Sequence, residues 1–259
     1  MKLDARTVTS AIGAARRIGL QSGNANVPVD ILSVAREVGV ARIEARPLHL
    51  DGYLGRLSNG QLVIRYNVAS GWRRNRFTIA HEIGHLLIAR CQGREINAPI
   101  GRSWIRNETE ELLANRIAAD LLMPEHQLSS DLLHAPAGWN TVHAMCRRYD
   151  VSISALVTRV LELQSMLAVL LKIDLGCIDP TNWPRFICRT SRETRVHFLH
   201  PPRAAVEAVL KNATSRRAST IKIEANSRLH EIALLGRLMD AGGTRQYWAL
   251  GWTPNNSTP

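Results

Sequence analysis

At 259 residues and 45% hydrophobic content, the chain can fill one large core or two moderate ones. Its longest apolar runs, such as Leu167–Leu171, fall far short of the roughly 20 residues that cross a bilayer. Met1–Arg6 is charged with no apolar core behind it, and Cys91, Cys146, Cys177 and Cys188 lack C-x-x-C spacing. These features argue against a membrane span, a signal peptide, a disulfide framework and a second zinc site, and they predict a soluble, cytoplasmic protein with reduced thiols. The net charge of +11 is spread out: residues 165–259 carry +6 and the rest +5, with no lysine–arginine run. A generally basic surface is favoured slightly over a dedicated nucleic-acid site.

Taken in order, residues 4–20 read as a first helix, with Val8, Ile12, Ala15 and Ile18 at near-helical spacing. Gln21–Asn26 is a loop by composition, and Pro28–Val40 a short amphipathic helix stopped by Gly39. Three strand-like pieces follow, at 41–45, 52–57 and 61–66. Asn59-Gly60 predicts a type I′ hairpin turn between the last two, both residues taking positive φ. Either Gly52–Leu57 or Ile64–Asn67 could pair with an extended substrate through its main chain, and a purely structural sheet is equally compatible with the pattern. Trp72–Arg76 reads as a solvated helix entrance, ahead of steering an acidic substrate or a phosphate backbone.

The segment Arg76-Phe77-Thr78-Ile79-Ala80-His81-Glu82-Ile83-Gly84-His85-Leu86-Leu87 then carries chemistry. On a helix His81 and His85 stand on one face, a turn apart, where one divalent ion can touch both. The pattern H-E-x-x-H pairs two metal-binding histidines with a glutamate that acts as base on bound water, here Glu82. The helix is otherwise apolar nearly all round, so it reads as buried, and a metal would satisfy the polar groups it carries inward. Gly84 costs roughly 1 kcal/mol relative to alanine in a helix interior and suggests a close approach by another segment or by a substrate.

Cys91–Arg106 is rich in Gly, Asn, Pro and charge, and reads as a loop beside the metal that could serve as a lid. Residues 108–124 form an amphipathic helix closed by Pro124, with Leu113, Ile117 and Leu121 at four-residue spacing. A catalytic zinc wants three protein ligands and an open position. Glu111 is the expected third ligand, and Asn115, four residues on, is placed to hold Glu111 or a histidine by a hydrogen bond. Glu108 and Glu110 compete on spacing alone, although their simplest role is to complement the helix dipole.

Here the chain resembles the ImmA/IrrE-type zinc metallopeptidases. The resemblance rests on the Arg76–Leu87 block and on Glu111-Leu112-Leu113-Ala114-Asn115-Arg116-Ile117-Ala118-Ala119-Asp120-Leu121-Leu122-Met123-Pro124, and it covers roughly residues 25–163. In that family a glutamate just ahead of the Ala-Asn pair completes a His, His, Glu set, which maps onto Glu111. The resemblance and the element pattern together imply an α+β chain. Its parts are a mainly helical zincin-like metallopeptidase domain with a small sheet (1–135), a helix-turn-helix-like helix pair (136–164) and a C-terminal α+β domain (165–259). The last resembles, loosely, the GAF-like sensor domains of some family members, with a docking or dimerisation role equally open.

The helix pair at 139–163 is lined by Val142, Met145 and Cys146, then by Ala155, Leu156 and Val160 after Ser152. Arg147, Arg148 and Arg159 lie nearby, but packing within its own domain is favoured over entry into a DNA groove. Beyond it, strands are expected at 167–173, 185–189, 196–199, 220–223 and 247–252, and a helix at 204–211. Trp183, Trp248 and Trp252 read as core.

The expected chemistry is peptide hydrolysis, with one Zn²⁺ per chain on His81, His85 and Glu111 and Glu82 as proton shuttle; Mn²⁺ or Fe²⁺ would also suit the set. His126, His143 and Tyr149 are unranked candidates for an oxyanion or substrate contact. The resemblance implies a narrow protein substrate, a partner helix-turn-helix transcriptional repressor cut in a stress or mobile-element response. The alternative is a DNA-binding or repressor-binding regulator without proteolytic activity. No membrane partner is expected, and the oligomeric state stays open.

Overall fold

A computed structural model describes residues 4–21, 27–96, 108–163, 166–174, 186–190, 196–198, 219–225, 228–241 and 244–254. Expectations for the 22–26 loop, most of the 91–106 loop, the 204–211 helix, Cys177 and Trp183 lie outside these residues. The fold is mixed α+β, with seven helices and two sheets among the described residues. It divides into two units, 1–125 with 146–152, and 126–145 with 153–259. No described helix is long and apolar enough to cross a membrane.

In the first unit α1 (Ala5–Gln21) turns Ala11 and Ala15 inward, and α2 (Ile31–Glu37) follows a short link. Asp30 caps α2, its Oδ1 accepting the Leu32 and Ser33 N–H groups and its Oδ2 the Ser33 hydroxyl, which satisfies donors the first turn leaves open. Gly39, at φ 78, ends that helix and starts β1 (Val40–Arg46). With β2 (Gly52–Arg56) and β3 (Leu62–Asn67) it makes a sheet of order β1-β3-β2. β1 runs parallel and β2 antiparallel to β3, so β2 keeps an outer edge and β3 keeps none.

The β2–β3 hairpin corrects one expectation. Gly60 has φ 83, but Asp150 is the only non-glycine residue with positive φ among the described residues, so Asn59 does not take the type I′ conformation. Leu57 O accepts Gly60 N–H and Gln61 O accepts Leu57 N–H, the pattern of a three-residue loop with one left-handed glycine. A single residue free of Cβ is enough to close it.

α3 (Trp72–Cys91) is buried on nearly all sides from Asn75 to Ala89, as its composition predicts. It begins earlier than expected, so Trp72–Arg76 forms its opening turns. The arginines there are paired: Arg74 forks onto Asp51 at 2.8 and 2.7 Å, Arg73 meets Asp150 at 3.0 Å, and the buried Arg76 donates to Val29 O at 2.9 Å. α4 (Glu108–Leu122) packs Leu113, Ala114, Ile117, Leu121 and Leu122 inward and stops before Pro124. α3 and α4 lie so close that a Cβ at Gly84 would stand 2.9 Å from Ala114 O.

α5 (Glu125–Leu133), which the pattern did not single out, is followed by α6 (Trp139–Tyr149) and α7 (Ile153–Val160). Asp150, at φ 50, turns the chain between the latter two. Arg147 and Arg148 are exposed, whereas Arg159 is 1% exposed with Glu162 at 3.9 Å, so it offers nothing to a phosphate backbone. In the second unit β4 (Met166–Asp174), β5 (Phe186–Thr190), β6 (Val196–Phe198), β7 (Ser219–Ala225), β8 (Arg228–Ala241) and β9 (Thr244–Pro254) form an antiparallel sheet of order β5-β4-β9-β8-β7-β6. β8 pairs with β7 through its first half and with β9 through its second, and its leucine-rich sequence carried no strand signal. Trp248 and Trp252 are core residues, and Lys172 Nζ lies 3.8 Å above the Trp248 ring.

Candidate metal centre

Side chains from α3 and the first turn of α4 converge at one point. His81 Nε2 and His85 Nε2 are 3.0 Å apart, and the Glu111 carboxylate reaches them at 3.2 and 3.3 Å. The i, i+4 spacing sets the two rings nearly perpendicular, with centroids 4.6 Å apart. His81, His85 and Glu111 each offer one atom to a set whose members all lie within 4.8 Å of one another, a group that could hold a metal ion. Tetrahedral zinc with ligands near 2.0–2.1 Å separates those ligands by about 3.3 Å, close to these distances.

The opposite nitrogens decide how the rings present themselves. His81 Nδ1 faces Asn115 Oδ1 at 2.9 Å, and His85 Nδ1 faces Glu110 Oε1 at 3.3 Å. Both partner atoms are acceptors, so these contacts favour the tautomer with the hydrogen on Nδ1. In that tautomer the Nε2 atoms, turned toward each other and toward a carboxylate, offer their lone pairs to an ion. A cation placed among these three groups would satisfy all of them at once.

Of the three glutamates in the first turn of α4, Glu111 meets the two Nε2 atoms, Glu110 meets the far side of His85, and Glu108 is exposed. The role of Glu110 was not anticipated; the signal available is that each metal-binding imidazole needs an acceptor on its other nitrogen. Arg94 was also overlooked, and its Nη2 donates to Glu110 Oε2 at 3.0 Å. Asn115 reaches His81.

Glu82 is 1% exposed, and its Oε2 accepts the Leu54 N–H at 2.9 Å. That bond leaves the outer edge of β2, which therefore faces α3 at the site. Gly52 makes the approach feasible, since a Cβ there would meet the Thr78 side chain at 2.4 Å. Of the two strands expected to accept an extended chain, Ile64–Asn67 belongs to the central strand, and only Gly52–Leu57 keeps an edge among the described residues. Leu54, Glu82, His85, Ala89, Arg94, Ile96 and Glu110 line a cavity of about 20 Å³, room for about one water.

The remaining candidates sit elsewhere. Tyr149 is fully buried with Arg148 over its ring at 6.0 Å. His126 and His143 belong to the second unit, where Arg237 Nη1 donates to His143 Nε2.

Residues 36–161, which contain the whole cluster, match the family model of the IrrE N-terminal-like domain, a peptidase family. This segment is an IrrE N-terminal-like domain. That family is one of metallopeptidases. No curated protein matches the chain. Among solved structures, a Mycobacterium tuberculosis transcriptional regulator is similar in fold, with a TM-score of 0.56 at 14% identity over 94% of this chain and 75% of that one.

Proposed function

We propose that this IrrE-like chain is a zinc-dependent endopeptidase that cuts a partner helix-turn-helix transcriptional repressor and so relieves repression. The observation that carries the metal-dependent reading is the convergence of two imidazole Nε2 atoms and a carboxylate within hydrogen-bond distance of one another. His81, His85 and Glu111 would hold the ion, with Asn115 orienting His81. When bound, a divalent ion lowers the pKa of a coordinated water and polarises the scissile carbonyl. Zinc suits this donor set best, and manganese or iron would also be accepted.

The chain's own groups supply the rest. Glu82 takes a proton from the attacking water at its carboxylate and delivers it to the leaving amine nitrogen. The Leu54 N–H holds that carboxylate in place. The substrate lies extended along the outer edge of β2, where main-chain pairing would present its carbonyl to the site. The similarity to a protein described as a transcriptional regulator supports a regulatory setting, and the antiparallel sheet of the second unit would serve docking or sensing.

Incubation of purified wild type and Glu82→Gln with a candidate repressor, read by intact-mass analysis beside zinc content, tests the proposal. The wild type should cut at one bond and carry one zinc, and Glu82→Gln should keep the zinc and lose the cut. Equal cleavage by the variant, or a wild type that takes up no zinc, would overturn it.

A further inference from the structure

The two histidines of the cluster are supported unequally. Behind His81 stands a neutral amide, Asn115 Oδ1. Behind His85 stands a carboxylate, Glu110 Oε1 at 3.3 Å, whose other oxygen receives Arg94 Nη2 at 3.0 Å. Guanidinium, carboxylate and imidazole thus form one hydrogen-bonded line that ends on the Nε2 facing Glu111. All three side chains are sheltered, with exposures of 29% for Arg94, 18% for Glu110 and 8% for His85.

Arg94 is placed there by the way α3 ends. Gly93 takes φ 63, and the chain turns back so that Arg94 N–H bonds Ala89 O at 2.8 Å, which sets the Arg94 side chain beside the last turns of the helix. A carboxylate on Nδ1 fixes the ring and makes Nε2 a stronger donor to a metal. Glu110 has two rotatable bonds beyond its Cβ and a negative neighbour in Glu111, so alone it would have little reason to hold one pose. A guanidinium on its second oxygen supplies that reason, since a charge-assisted bond is about twice as strong as a neutral one.

We propose that Arg94 is a positioning residue for the metal centre, acting through Glu110 on His85. The proposal rests on the metal-binding reading of His81, His85 and Glu111. It gives Glu110 a supporting role next to a neighbouring glutamate that meets the ion, and it ties the end of α3 to metal affinity.

The test uses zinc alone, competed against a chromophoric chelator at fixed pH and salt, on the full chain. Glu110→Gln should weaken zinc binding by about 10- to 100-fold, the usual effect of losing such a partner. Arg94→Gln should weaken it by a smaller factor, and Arg94→Lys should restore part of the loss by returning the charge. The deciding variant is the double Arg94→Gln/Glu110→Gln, which should bind zinc no more weakly than Glu110→Gln, because Arg94 has nothing left to act through. Arg94→Gln combined with Asn115→Ala should show independent, multiplying losses, since Asn115 acts on His81. Urea unfolding of each apo variant checks that the fold survives; if Arg94→Gln unfolds, Arg94→Lys carries the same comparison. Equal losses from Arg94→Gln with and without Glu110, or no loss at all, would overturn the proposal while leaving zinc binding by the wild type intact. A wild type that binds no zinc would overturn both.

Discussion

Gly84 of α3 and Ala114 of α4 touch through their backbones: a Cβ at Gly84 would lie 2.9 Å from Ala114 O and 3.0 Å from its Cα. The contact brings the helix carrying His81 and His85 against the one carrying Glu111. Gly84→Ala gains about 1 kcal/mol of intrinsic helix preference but forces two backbones apart. The expected outcome is a net loss of about 1–3 kcal/mol in urea unfolding, the usual cost of overpacking, together with weaker zinc binding. A stabilised variant with unchanged zinc affinity would show that the contact is not what sets the helix spacing.

Two of the acidic residues at the start of α4, Glu111 and Glu108, should separate cleanly in metal content. Glu111→Ala and His81→Ala should lose zinc on gel filtration, whereas Glu108→Ala should retain it. Elemental analysis of the three proteins reads the result, and zinc retained by Glu111→Ala would move the carboxylate ligand to another residue.

Asp30 gives a pH-dependent stability. The Ser33 hydroxyl, followed by the Ser33 and Leu32 amides, holds its carboxyl below the usual carboxylate range. A carboxyl depressed by folding contributes stability above its unfolded pKa of about 3.9 and loses it as pH falls through the lower folded value. Asp30→Ala should therefore cost about 1 kcal/mol at neutral pH. The gap from wild type should close below about pH 4. Denaturant titrations at the two pH values measure it.

Cysteine labelling should be site-selective. Cys91 is exposed, while Cys146 is buried, and burial pushes its thiol up to about 11. Native protein treated with an alkylating agent at neutral pH should be modified at Cys91 and spared at Cys146, as peptide mapping would show. Because the folded-state pKa of Cys146 is raised, its contribution is complete below the unfolded pKa of about 8.5 and is lost as pH rises toward 11. Cys146→Ala should flatten the alkaline fall in stability.

What could be read from sequence followed the strength of the local pattern. The i, i+4 histidines, the glutamate between them and the apolar surround of α3 come from one helical period, and the fold returns them as expected. The early start of α3 was masked because its first turns are arginine-rich, a composition that reads as surface, although Arg76 is buried against Val29. Glu110 and Arg94 could not be assigned because their meaning depends on where the helix ends and how the chain turns back. β8 was missed for a different reason: its leucines favour a helix, and only pairing with β7 and β9 makes it a strand.

The placement of His85 on one helix and Glu111 on the next, with a long connection between them, has a thermodynamic consequence. An ion gripping both closes that loop in the folded chain and finds no such arrangement in the unfolded one. A divalent ion bound there would act as a staple whose strength follows its concentration: each tenfold rise above the dissociation constant would add about 1.4 kcal/mol to the folded state. Chelation would loosen the α3–α4 pair itself, so metal supply would govern how long the protein lasts as well as what it can do.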